Sequence, residues 1–424
     1  MRIGQIALDV APLRENRDYR RLFTGRFISM AGNAVAMTAG NWQVYGLTHN
    51  SLAVGLLTLA SGAGMFTGLM AGGMLADRHD RRTVLMLVQA PQAVLAALLM
   101  VNSLLSHPAL WPLYVITFCI GLCSGLSSPA STAATPALVG DKKLPAAAAL
   151  NATASQLGQL GGPAIAGLLI AGPGVASCYA IDAVCFAVFG MAMIGLRPMP
   201  PVTRAQRPGL RSLAEGLRYV RHSAVVGGML LVDTNAMIFG MPQSLFPALA
   251  STHFHGGPAT FGLLTAAPGL GAMVGAATSG WTGRVRRPGV VVIAAGIVWG
   301  SAIALFGLVR SLPLALFFLA LAGMGDLISE VLRNALLQRY TPDELRGRVS
   351  SLYLAQVTTT PALGNVEAGA VARLISPTFS VVSGGIACVA GALVLGAAIP
   401  ALRNAKLSTA VAEHAGTTPQ ESTA

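Results

Sequence analysis

Apolar stretches close to the roughly 20 residues that a bilayer-crossing helix needs recur about twelve times between residues 22 and 402, separated by short polar connections. The pattern predicts spans at 22–46, 52–76, 83–104, 109–132, 144–171, 174–196, 224–250, 258–283, 289–309, 312–337, 346–372 and 378–402. Runs this long and continuous are not amphipathic surface helices; they describe an all-α polytopic membrane protein. The longest connection, 197–223, is rich in Pro and Arg. It separates an N-terminal six-helix unit (22–196) from a C-terminal one (224–402), with flanking segments at 1–21 and 403–424. Within the linker, Leu210, Leu213, Leu217 and Val220 recur at helical spacing beside Arg211, Arg218 and Arg221, which predicts an amphipathic helix on a membrane surface.

Charge then orients the spans. If the chain starts in the cytoplasm, every Lys and Arg except Arg310 and Arg373 lies on or near the cytoplasmic side. That asymmetry places both termini inside a bacterial inner membrane. Charged residues are only 10% of the chain, against about 25% in soluble domains. The net charge of +12 is dispersed over loops, which suits anionic headgroups rather than nucleic acid. All five cysteines fall in apolar stretches, so neither a disulfide framework nor a metal site is indicated. No nucleotide-binding GxxxxGK[ST] loop occurs, and no cofactor is implied.

An ionisable group in a span costs about 2.5–3.5 kcal/mol at the helix centre, so each needs a reason to be there. Asp233 falls near the middle of the seventh span, where a carrier places a binding or proton site. Asp326, Glu330 and Arg333 share one face of the tenth span. Their spacing predicts a Glu330–Arg333 ion pair and leaves Asp326 as a second proton or substrate candidate. Glu367, near the outer end of the eleventh span, is a third; Asp182, in the sixth, reads as a packing or hydrogen-bonding residue. Asn33, Asn41 and Gln43 in the first span, with Asn235 and Gln243 in the seventh, are candidates to line a substrate cavity.

Two further motifs point to a family. Gly73, Asp77, Arg78, Arg81 and Arg82 join the second and third spans. Gly158, Gly162, Pro163 and Gly167 run through the fifth. Thr135-Pro136 and Thr341-Pro342 recur at equivalent places in the two units, as expected of a duplicated six-helix repeat. With Arg26-Phe27-Ile28-Ser29, Ala134 to Gly140 and Phe246 to Ala250, these pieces resemble the major facilitator superfamily, drug:proton antiporter type. Within that type they are similar to the enterobactin-class siderophore exporters. The resemblance implies twelve helices in two pseudo-symmetric bundles, a cavity lined by helices 1, 4, 7 and 10, and a conformational latch at Gly73 to Arg82. It also implies an antiporter-like fifth helix. The expected function is proton-coupled export of a small amphipathic molecule of the siderophore type by a monomer; broad drug efflux and proton-coupled import are the alternatives. An enzyme is not expected, because no span contains a histidine and no GxSxG motif occurs.

Overall fold

A computed structural model describes residues 9–199 and 210–406, and within them the side chains of all but 74, 76–78, 141 and 210–213. Among the described residues the twelve expected spans are helices. The first six are α1 (Arg17–Thr48), α2 (Ser51–Arg78), α3 (Arg81–Leu104), α4 (Leu110–Val139), α5 (Leu144–Ala171) and α6 (Val175–Ile194). The second six are α7 (Ala224–Phe239), α8 (Pro258–Thr278), α9 (Pro288–Leu308), α10 (Leu312–Tyr340), α11 (Asp343–Leu374) and α12 (Pro377–Ala398). Local chemistry starts them: Asn16, Asn50, Asp80 and Ser376 cap α1, α2, α3 and α12 by accepting from backbone N–H groups of the first turn. Proline opens α8 and α9, where its missing N–H is no loss.

Helix pairing repeats between the halves. In the first, α2 packs on α4, α3 on α4 and α6, and α1 on α5 and α6; in the second, α8 packs on α10, α9 on α10 and α12, and α7 on α11 and α12. Six helices therefore form the same ring twice, as a duplicated unit should. Close packing inside the rings rests on small residues: Gly64, Gly68 and Gly72 of α2 lie against the backbone of Phe118, Leu122 and Leu126 of α4, and Gly121 and Gly125 of α4 against the backbone of Ser61 and Met65 of α2.

The halves meet along two seams, α2 against α11 and α5 against α8. A Cβ at Gly369 would lie 2.7 Å from Leu52 Cα, and one at Gly167 would lie 2.9 Å from Gly262 Cα. Trp42 of α1 stacks on Phe261 of α8 at 5.5 Å between ring centroids. All these contacts lie at the end of the molecule away from the basic loops. Toward the basic end, α5, α8 and α10 surround a cavity of ≈ 270 Å³ lined by Thr153, Gln156, Leu157, Met273, Ser279 and Leu327. Among the described residues no hydrogen bond or ion pair joins one six-helix half to the other.

Nine of the helices are long and apolar enough to cross a membrane by length and composition, among the described residues; α1, α5 and α11 are more polar. All three touch the opposite half, α5 and α11 along most of a seam, and a polar side chain against protein is less costly than one against lipid.

One span departs from expectation. The seventh, read as a single helix over 224–250, breaks after Phe239 at Gly240-Met241-Pro242 and resumes as a 3-10 turn (Gln243–Leu245), a single α turn (Phe246–Ala248) and a π turn (Leu249–His253). Proline at 242 removes a donor and clashes with a continuing helix. Neighbours satisfy the groups this frees: Trp299 Nε1 donates to Gly240 O at 3.0 Å, Ser244 N donates to Asn365 Oδ1 at 2.7 Å, and Ser244 Oγ donates to Asn365 O at 2.8 Å.

The linker helix, Leu210–His222, forms as expected but docks on the second half instead of lying on lipid alone. Val220 is buried in that half's core, the Tyr219 hydroxyl donates to Tyr340 O, and Arg348 pairs with Glu215 at 2.5 Å. The linker residues 200–209, the side chains of Leu210, Arg211 and Leu213, and the tail 407–424 lie outside the described set.

Candidate functional site

Asp233, fully buried on α7, lies with its Oδ1 2.5 Å from Nη1 of Arg333 on α10, an ion pair outside ideal hydrogen-bond angles. Arg333 is 4% exposed and also reaches Asp326 Oδ1 at 3.5 Å through Nη2 and Ser329 Oγ at 3.2 Å through Nη1. From α11, Gln356 Nε2 donates to Asp233 Oδ2 and to Leu230 O, both at 3.0 Å. Three helices thus contribute to one cluster, in which the Arg333 guanidinium is shared between two carboxylates and Gln356 holds one of them. The acids differ in exposure: Asp233 is sealed, whereas the Asp326 side chain is 34% exposed. One positive charge facing two negative ones cannot neutralise both, so a proton or a hydrogen-bond donor on either carboxylate frees Arg333 to favour the other.

Gln356 also lines a cavity of ≈ 700 Å³ between α7, α11, the linker helix and the residues after α12. Leu217, Leu230, Leu352 and Ile399 make it predominantly apolar, with Arg221 on its lining toward the basic end. The volume suits a drug-sized molecule.

The Glu330–Arg333 pair that helix spacing predicted does not form. Glu330 is exposed, while Arg333 turns inward to Asp233 and Asp326. Intrahelical spacing cannot register a partner on another helix, and the buried carboxylate on α7 is the stronger one. Glu367 lies apart, half-buried toward the far end of α11.

The cavity candidates scatter. Gln43 accepts from Tyr179 Oη at 2.8 Å, joining α1 to α6, and Asn235 Nδ2 donates to Cys388 O at 2.8 Å, joining α7 to α12. Asn33 lines a small cavity beside Asp182. The Asn41 Oδ1 is buried without a partner, and Gln243 sits in the 3-10 turn after the α7 break.

Arg81 and Arg82 of the expected latch bind within the first half: Arg81 donates to Ala133 O at 3.1 Å, and Arg82 to Met193 O at 3.2 Å and Ile194 O at 2.6 Å. These are cations on helix carbonyls near C-terminal ends, favoured by the helix dipole. The backbone of Gly73 continues α2, and the side chains of Asp77 and Arg78 lie outside the described set. On α5, Gly158 and Gly162 face Met30 and Ala34 of α1, while Pro163 and Gly167 face Gly262 of α8. The motif therefore packs α5 on both its own half and the other.

Sequence reasoning passed over Gln356, Ser329, Asn365 and Trp299. Gln356 was discoverable as an amide in an apolar span, by the rule that flagged Asn235.

Two six-helix rings in contact along two seams, with an ion-paired acid at the core of one ring, define a polytopic transporter of facilitator architecture. The family profile described as transmembrane secretion effector, MFS_3, matches residues 7–418, and the chain belongs to that family of the major facilitator superfamily. The enterobactin exporter EntS of Shigella boydii serotype 18 is 34% identical over 389 residues, which are 92% of this chain and 92% of that protein. EntS of Citrobacter koseri is 34% identical over 388 residues, 92% and 93% of the two chains. Among solved structures, a POT family transporter in complex with a thioalcohol-conjugated peptide superposes with a TM-score of 0.74 at 14% identity, over 91% of this chain and 96% of its own. A bacterial homolog of the human lysosomal transporter Spinster, in an inward-facing and unoccupied conformation, gives 0.69 at 14%, over 92% and 96%. These structures share the fold alone.

Proposed function

We propose that this protein is a proton-coupled exporter of a siderophore of the enterobactin type, working from the cytoplasm with both termini inside. The Asp233–Arg333–Asp326 network carries the reading. A catechol hydroxyl is phenolic, with a pKa near that of tyrosine at about 10, and reaches a carboxylate as a donor. It competes there with a proton, which is the exclusion that exchange requires. Asp326 is the carboxylate open to cargo, and Asp233 is the one that holds the proton. Arg333 ties the two states together, and Gln356 orients Asp233 beside the apolar cavity. The identity to the exporters of Shigella boydii and Citrobacter koseri over most of both chains supports the cargo class.

With the basic loops in the cytoplasm, the seams close on the outer side and the cavities face inward, which supports an inward-facing resting state. Alternating access then rocks the halves over seams that, among the described residues, carry no polar link. The apolar lining of the 700 Å³ cavity favours a second reading, efflux of lipophilic drugs. The test is complementation: in a bacterium lacking its catecholate exporter, this protein restores siderophore in the medium and Asp326→Asn does not. Resistance to lipophilic dyes without siderophore in the medium would favour the second reading instead.

A further inference from the structure

Asp182 on α6 is fully buried, and neither of its carboxylate oxygens has a hydrogen-bond partner. It faces a cavity of ≈ 10 Å³ lined by Asn33, Met37, Leu57, Thr117 and Tyr179. That is at the lower limit for one water, so no solvent shell replaces the missing partners. Of the two hydroxyl groups on that lining, the Tyr179 hydroxyl is committed elsewhere, donating to Gln43. On α1, Gly32 lies against the carboxyl: a Cβ there would come within 3.1 Å of Asp182 Oδ1 and 2.7 Å of Cys185 Cβ. Among the described residues its titratable neighbours are Tyr179 and Cys185 of α6 itself; the residues that α1, α2, α3 and α4 contribute to the cavity are all non-ionisable. Among the described residues Asp182 takes part in no ion pair.

An isolated carboxylate in such a place is not tolerated, and the group takes up a proton instead. Packing alone does not call for an acid here, because an apolar residue of similar volume would fill the site without this burden. The covering helix is α1, which also touches the other half through Trp42 and Phe261. Because α1 and α6 belong to the same half, Asp182 is uncovered only by a shift of α1 against α6, for which the contact of α1 with the other half offers a lever.

We propose that Asp182 is a second proton-carrying position, in the first half of the transporter and independent of the Asp233 network. In the state seen here its carboxyl holds the proton. When α1 shifts and water enters, the O–H bond breaks, the proton passes to that water and the carboxylate becomes hydrated; the return stroke reverses the transfer. This rests on the proton-coupled reading above, and each transport cycle then moves one proton more than Asp233 alone supplies.

The test uses the full-length protein in lipid and reads the infrared carbonyl band of protonated carboxyls during a pH titration, without cargo. Wild type and Asp233→Asn are expected to show a band at neutral pH that disappears at alkaline pH and is missing in Asp182→Asn. A band absent from wild type, or one that never titrates, would overturn the proposal. Should Asp182→Asn fail to fold, Gly32→Ala crowds the same carboxyl and must shift the band; an unmoved band is evidence against the assignment. Reversal-potential measurements with a catecholate siderophore then count protons: Asp182→Asn should lose one per cargo, and an unchanged count overturns the coupling role. If no siderophore moves at all, the exporter reading fails, while the cargo-free titration still decides Asp182.

Discussion

Arg333 is shared by Asp233 and Asp326 in a nearly sealed site, and its guanidinium cannot shed its charge, whereas Asp233 can accept a proton. The two halves of the pair should therefore respond unequally to removal. Asp233→Asn leaves a buried cation with Asp326, at 3.5 Å, as its remaining carboxylate, at a cost on the order of 3 kcal/mol. Arg333→Gln costs less, because Asp233 protonates. The double variant should recover part of the loss. Thermal unfolding of the purified variants checks the order: Asp233→Asn lowest, and the double variant above it. The acids at this site were legible in the sequence because a carboxylate in an apolar span stands out. The pairing was not, since Arg333 finds its partner on α7, a hundred residues away in sequence, and the spacing rule sees only its own helix.

The broken α7 and the glycine seams are where elements set function. Asn365 accepts from and orients the turn after the break, so Asn365→Ala strands the Ser244 N–H that is now bonded at 2.7 Å. A loss of about 1–3 kcal/mol is expected, with faster hydrogen exchange confined to residues 243–246. Unchanged exchange there would show that the break holds itself. At the α5–α8 seam, Gly167→Leu drives a side chain into Gly262. Overpacking of about 1–3 kcal/mol would open the outer seam and shift the conformational equilibrium by roughly 5–150-fold. Spin-label distances across α5 and α8 measure that shift. Span positions were readable from apolar run length, and Gly240 and Pro242 marked the break in plain sight. Its repair was hidden, because Trp299 and Asn365 arrive from α9 and α11.

At the scale of the whole molecule, the duplicated ring and the basic loops were both visible in the sequence, as a repeat and as a charge asymmetry. What the sequence could not convey is which end is closed, because that depends on small residues meeting across a seam rather than on any one of them. Two rings touching at one end, with no polar link between them among the described residues, predict a rocking carrier, and labels at the basic ends of α5 and α8 should approach each other when cargo is exported. The central claim is that Asp233 couples a proton to outward movement of a catecholate siderophore. The most direct measurement uses purified protein in liposomes with an imposed proton gradient. Adding the siderophore on the side of the basic loops should dissipate the gradient in wild type, and Asp233→Asn should leave it standing at the no-protein rate. Equal dissipation by both proteins, or by neither, would contradict the account.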